Sequence, residues 1–277
     1  MQVAHTIAEM KKLRRKCKGG VGLVPTMGYL HEGHLELVKQ AKSENRVAVA
    51  TIFVNPTQFG PSEDFKSYPR DLDRDLALLE KVKTDIVFIP SDKEMYPEGY
   101  NTWVEVRGIT AKLEGKSRPT HFQGVTTVCN KLFNIIEPDR AYFGQKDAQQ
   151  ATVIQKMVTD LNMNLDIVVC PTVRESDGLA MSSRNTYLTK EDRASAVVLH
   201  KSLCLAKDMY GKGERDAAAI KRAMESLISG VAAAKLDYIS IADTVTLDEV
   251  DIIRGRVLVS LAVRLGKPRL IDNIILG

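Results

Sequence analysis

The segment VGLVPTMGYLHEGHLELV (21–38) carries the clearest fold signal in the chain. VGLVPT (21–26) is a short apolar run without polar alternation, the pattern of a strand buried on both faces of a parallel sheet. A turn with Gly28 and Gly33 follows it, then a helical spacing of Leu35, Leu37, Val38 and Ala41. A buried strand running through a glycine turn into a helix predicts a βαβ unit.

The same alternation recurs on either side. Upstream, Thr6 and Glu9 form a capping box ahead of Ile7, Met10 and Leu13, and the helix they start ends in a basic, solvated cluster, Lys11 to Lys18. Downstream, strands are expected at VAVATIFV (47–54), DIVFIP (85–90), TWVEV (102–106), AYF (141–143) and LDIVVC (165–170). Helices are expected near 71–83, 123–136 and 147–162, and the long proline-rich stretch 55–71 reads as a functional loop. This predicts an α/β fold, a Rossmann-like doubly wound parallel sheet, over residues 1–174. Beyond it, helices near 189–211 and 214–229 precede strands at 236–242, 256–263 and 269–276, which predicts a smaller C-terminal α+β domain over 175–277.

Composition narrows the function. The 277 residues carry 39 basic and 35 acidic side chains, a net charge of +4. So small a surplus over this length argues against a dedicated nucleic-acid or membrane-surface protein. The N-terminus has no apolar targeting core and no apolar run approaches about 18 residues, so neither secretion nor membrane spanning is expected. Cys17, Cys129, Cys170 and Cys204 lie far apart, which suits reduced thiols in the cytoplasm.

Five places carry chemistry. His31 and His34 stand three apart at the start of a helix that follows a strand's carboxyl end, where phosphate binds readily. They suit donation to an α-phosphate whose charge grows during displacement. Helix capping and a two-ligand metal edge are the competing readings of the pair, and no third soft ligand accompanies it. Lys146, beside Asp147 in YFGQKDAQQ (142–150), is a point charge suited to a polyphosphate, with an adjacent carboxylate suited to ribose hydroxyls. GLAMSSRN (178–185) offers Ser182, Ser183 and Arg184 as phosphate donors, or is an ordinary turn. Finally, Asn55 and Gln58 lie beside Phe53 and Phe59, as a small polar substrate requires, and Arg118 near His121 can hold a carboxylate. Asp71, Asp73 and Asp75 open the next helix; one of them can face nucleotide-bound magnesium, and all three also suit the helix dipole.

Taken together, PTMGYLHEGH (25–34), FVNPTQF (53–59), YPRDLDRD (68–75), RPTHFQGV (118–125), YFGQKDAQQ (142–150), PTVRESDGLAMSSRN (171–185) and RLIDN (269–273) resemble the pantoate-β-alanine ligase family of the HIGH-type nucleotidyltransferase superfamily. The resemblance spans nearly the whole chain in order. It implies a Rossmann-like domain with a C-terminal lid, a homodimer, and an ATP-dependent ligation of pantoate and β-alanine through a pantoyl adenylate. It places ATP on Met27, Gly28, Tyr29, Leu30, His31, Glu32, Gly33 and His34, on Gly144, Gln145, Lys146 and Asp147, and on Met181, Ser182, Ser183 and Arg184, with the Val173 backbone at the adenine. His34, His31 and Lys146 are the catalytic candidates. Gln58 and Gln150, with Arg118 and His121, are the substrate-binding ones, and Asp75 or Asp73 is the expected magnesium contact. Three departures from the family pattern stand out: Arg74 where some members carry an acid, Gln145 where many have glutamate, and Pro268 where threonine is common. The rival readings are a sister nucleotidyltransferase, a class I aminoacyl-tRNA synthetase fragment, and a regulatory nucleotide-binding module without catalysis.

Overall fold

The computed structural model describes residues 1–61 and 63–277. Of the loop at 55–71, residue 62 therefore lies outside the described residues. Two compact units emerge, one formed by residues 1–144 and 150–171, the other by 145–149 and 172–277.

In chain order the first unit contains β1 (Gln2–Ala4), α1 (Ile7–Arg14), β2 (Val21–Thr26), α2 (Glu32–Glu44), β3 (Val47–Ile52), α3 (Leu72–Lys81) and β4 (Ile86–Phe88). It continues through two short helices, α4 (Asp92–Met95) and α5 (Glu114–Ser117), to α6 (His121–Ile136), β5 (Arg140–Gly144), α7 (Ala148–Asp160) and β6 (Asp166–Cys170). The six strands are ordered β1-β4-β3-β2-β5-β6 and every pairing is parallel. From β2 the chain winds outward through β3 to β4, then returns to β2's other flank as β5 and β6. That reversal opens a crevice at the carboxyl ends of β2 and β5, where doubly wound sheets bind ligands. Val24, Leu35, Val38, Ala41, Ala48, Ala50, Leu79 and Val87 form a core between this sheet and its helices.

The Thr6–Glu9 capping box is present: Glu9 N–H donates to Thr6 Oγ1 at 3.2 Å, and Thr6 N–H to Glu9 Oε2 at 3.1 Å. One expected strand is absent. Residues 102–106 are not a strand and pair with none. Threonines of α6 hold them instead: Val104 N–H donates to Thr127 Oγ1 at 3.0 Å, and Thr126 Oγ1 donates to Val104 O at 2.6 Å. Alternation alone does not distinguish a strand from a segment satisfied by side chains. Conversely, β1 has no counterpart among the expected strands; it is a three-residue edge strand in register with Ile86–Phe88, too short to show a period.

The second unit holds α8 (Lys190–Ser195), α9 (Val198–Gly211), α10 (Ala217–Ser229), β7 (Ala234–Asp243), β8 (Val257–Leu265) and β9 (Arg269–Leu276). The strands form an antiparallel sheet in the order β7-β8-β9, and Leu199, Leu203, Ile220, Met224, Val259, Leu261 and Val263 share its core. The single helix expected at 189–211 is two, because Leu199 N–H reaches back only to Ala196 O at 3.2 Å and tightens one turn. The unit begins at Thr172 rather than 175 and takes in Gln145–Gln149. The physical reason is an asparagine on β9: Asn273 Nδ2 donates to the carbonyls of Gln145 and Lys146, both at 2.9 Å.

Candidate active site

The turn after β2 is built by side chains that satisfy its backbone. Thr26 Oγ1 donates to Thr51 O at 2.6 Å and accepts Gly28 N–H at 3.1 Å. Gly28 has φ +80°, and a Cβ there would stand 3.0 Å from both Asp75 Oδ2 and Ile52 Cγ2. Tyr29 is also left-handed, at φ 50°. Such a conformation costs a non-glycine residue roughly 1–3 kcal/mol and persists only where its surroundings impose it. Here they do. Asp75 is 1% exposed, and its two oxygens accept Tyr29 N–H at 2.6 Å and Leu30 N–H at 2.7 Å. Burial pushes the Asp75 carboxyl upward, against the two amides and Arg74, which favour the charged form. Arg74 lies 5.3 Å from the centre of the Tyr29 ring and 3.7 Å from Asp75 Oδ1.

Asp75 is thus engaged by the turn rather than turned outward toward a metal, and Asp73 is exposed on the first turn of α3. Among the described residues no group of three or more His, Cys, Asp or Glu side chains could hold a metal ion. These residues do not form a protein-built magnesium cage.

His31 occupies the N-cap of α2, and its N–H donates to His34 Nδ1 at 3.3 Å. The rings lie 4.0 Å apart at 30°. Because Nδ1 accepts, neutral His34 carries its proton on Nε2, a donor on the first turn of a helix. Glu32, expected among the ATP residues, pairs with Lys39 at 2.6 Å on the surface of α2.

The 55–59 segment forms a second feature of this unit. Gln58 is buried, accepts from Asn55 Nδ2 at 3.1 Å through Oε1, and donates Nε2–H to Met27 Sδ at 3.4 Å. Asn55 is itself fixed by Tyr96 Oη at 2.8 Å, Thr57 Oγ1 at 3.0 Å and the Gly124 carbonyl at 3.1 Å. Gly124 lets α6 approach, since a Cβ there would stand 2.6 Å from Gln58 N.

Arg118 and His121 act behind Gln58. His121 Nδ1 donates to Gln58 O at 3.0 Å, and its Nε2 accepts from Arg118 Nη1 at 3.2 Å. That arrangement requires a neutral imidazole. Burial and the neighbouring guanidinium accordingly bring His121 down to about 4. Arg118, expected to hold a substrate carboxylate, holds Glu63 at 2.7 and 2.6 Å in a two-pronged pair. Gln150 lies half-buried on the first turn of α7.

In the second unit Lys146 lies within a 3-10 turn (Gln145–Asp147), 3.4 Å from Asp147 Oδ1. Residues 172–181 fold back on themselves: Glu175 N–H donates to Leu179 O at 2.8 Å and Met181 N–H to Val173 O at 3.0 Å. Val173, expected to meet the adenine through its backbone, thus has its carbonyl engaged within the loop. Arg193 braces this loop through Glu175 and Asp177, both at 2.7 Å. Ser182 caps the 3-10 turn Ser183–Tyr187, accepting Arg184 N–H at 3.3 Å.

The bracing residues that sequence reasoning missed include Glu63, Arg174, Arg193, Asp272 and Asn273. For the last two a signal existed: adjacent polar residues interrupt the apolar strand RLIDNIIL (269–276).

A doubly wound sheet whose central strand ends in a braced turn and a histidine pair defines a class, the α/β enzymes that handle phosphate esters at a helix N-terminus. Similarity to known proteins specifies which. The family model for pantoate-beta-alanine ligase matches residues 2–275. The chain is 59% identical to the pantothenate synthetase of Acetivibrio thermocellus over 99% of each chain, and 55% identical to that of Thermotoga neapolitana over 100% of each. The crystal structure of pantothenate synthetase from Thermus thermophilus superposes with a TM-score of 0.95 at 47% identity, covering 99% of both chains. A pantoate-beta-alanine ligase from Francisella tularensis, complexed with beta-gamma ATP and beta-alanine, superposes at 0.81 with 38% identity, covering 99% of this chain and 97% of that one. The chain belongs to the pantoate-beta-alanine ligase family and is an enzyme joining pantoate to β-alanine.

Proposed function

We propose that the ligation runs through a pantoyl adenylate. A carboxylate oxygen of pantoate attacks the α-phosphorus of ATP, the bond to the β-phosphate breaks, and pyrophosphate leaves. The amine of β-alanine then attacks the acyl carbon, the bond to AMP breaks, the amine loses a proton, and pantothenate and AMP are released.

The observation that carries this reading is the histidine pair on the first turn of α2, with His34 Nε2–H as a donor fixed by its own Nδ1 contact. Charge builds on the α-phosphate oxygens during displacement, and a preorganised donor there acts without reorganising. His34 and His31 stabilise that charge; adenylation requires no proton on pyrophosphate. Lys146, Ser182, Ser183 and Arg184 bind the β- and γ-phosphates, and Gly144, Gln145 and Asp147 the ribose. Met27 to Gly33 line the nucleotide. Gln58 has its carbonyl engaged by Asn55 and its amino group directed to a weak sulfur acceptor, so it can donate to pantoate, with Gln150 serving the same substrate. Arg118 and His121 serve pantoate indirectly, by holding the Gln58 main chain. Magnesium enters as the counter-ion of ATP.

No helix among the described residues is long and apolar enough to cross a membrane. The four cysteines are unpaired, which supports placing the enzyme in the cytoplasm. The homodimer rests on the family resemblance, and light scattering tests it.

Pantoate labelled with ¹⁸O in its carboxylate tests the route. An acyl adenylate leaves one labelled oxygen in AMP. Unlabelled AMP from a productive reaction contradicts it.

A further inference from the structure

Strand β9 carries two adjacent polar side chains, Asp272 at 1% and Asn273 at 3% exposure, within the apolar run RLIDNIIL. Buried polar groups are costly unless their donors and acceptors are met. Here they are met by two loops far apart in sequence.

Asp272 accepts from Arg174 Nη1 at 2.6 Å and Nη2 at 3.0 Å, and Arg174 Nη1 also donates to Gly178 O at 3.0 Å. The loop so held leads directly into Met181–Arg184. Asn273 directs its amide hydrogens to the carbonyls of Gln145 and Lys146, and its Oδ1 accepts Gln145 Nε2–H at 3.3 Å. Pairing with β8, Asp272 opposite Leu261 and Asn273 opposite Ser260, fixes the register of both residues.

We propose that Asp272 and Asn273 are positioning residues that hold the Lys146 turn and the 181–184 loop in one fixed relation, so that the polyphosphate of ATP meets a preformed set of donors. Neither side chain touches the nucleotide. Asn273 acts through the Lys146 backbone, and Asp272 through Arg174. The proposal rests on the reading above, in which Lys146 and residues 182–184 bind the β- and γ-phosphates. Its physical basis is that a long lysine tethered at its own carbonyl samples fewer positions, so less freedom is lost when ATP binds.

A double-mutant cycle between Asn273→Ala and Lys146→Ala tests it, with three readouts: Kd for a non-hydrolysable ATP analogue, KM for pantoate, and Tm. Asn273→Ala alone is expected to weaken the analogue about tenfold while KM for pantoate changes less than about twofold. In the Lys146→Ala background the same substitution is expected to weaken it by less than about twofold, because the group it positions is gone. A merely structural role would lower Tm and multiply the losses independently in both backgrounds, which would overturn the proposal. So would a folded Asn273→Ala protein with unaltered analogue affinity. If Asn273→Ala does not fold, Asp272→Asn crossed with Arg184→Ala is read by the same criteria. A Lys146→Ala protein that binds the analogue normally instead overturns the phosphate reading on which the proposal stands.

Discussion

The two regions assigned to ATP are held in opposite ways. The histidine turn of the first unit is nearly contiguous: Thr26, Gly28, Tyr29, His31 and His34 follow closely along the chain, and the side chains of Thr51 and Asp75 fix the backbone. The phosphate loops of the second unit owe their shape to strand β9. Asp272 reaches Arg174 across 98 positions, and Asn273 reaches Lys146 across 127. A turn whose own residues are contiguous carries its signature in one stretch of sequence. A turn held across that much chain does not.

Four expected outcomes bear on this contrast, and the largest belongs to the histidine turn. His34→Ala is expected to slow single-turnover adenylation by about 10²–10³-fold, the scale for losing one transition-state donor. An unchanged rate removes His34 from the chemistry.

Next comes the brace. Asp75→Ala leaves the Tyr29 and Leu30 amides without their acceptor, and a loss of about 3 kcal/mol in stability is expected, read by denaturant unfolding. The midpoint of the magnesium dependence should stay where it is. A shifted midpoint at unchanged stability would make Asp75 a metal contact instead.

The third effect is a pH dependence. His121 sits at about 4 in the folded chain, below its ordinary value of 6.5, so the unfolded chain binds the proton more readily. Stability is therefore full above about 6.5 and falls as pH drops toward 4, by about 2–3 kcal/mol. His121→Asn should flatten that part of the curve. An identical slope in the variant assigns it to other groups.

The smallest effect is at the substrate. Gln58→Ala is expected to raise KM for pantoate about tenfold and that for ATP much less, the loss of one hydrogen bond. Equal losses for both would point to general disruption.

The parallel sheet is legible in the sequence because each buried strand is a continuous apolar run and each helix has its own period. The histidine turn is legible for the same local reason. Residues 102–106 mislead, because Thr126 and Thr127 satisfy the backbone of Val104 in place of a neighbouring strand. The resemblance assigns magnesium to Asp75 or Asp73, and the residues alone offer Arg118 to a carboxylate; in the structure Asp75 meets the Tyr29 and Leu30 amides and Arg118 meets Glu63. Charge pairing depends on which distant residues the fold brings close, and order along the chain does not encode it.

A rapid-quench experiment with ATP and pantoate alone, followed by addition of β-alanine, separates the two chemical steps. A stoichiometric burst of pyrophosphate is expected without β-alanine, then AMP release only once it is added. Pyrophosphate appearing only when β-alanine is present would contradict the adenylate intermediate and the role given to the histidine turn.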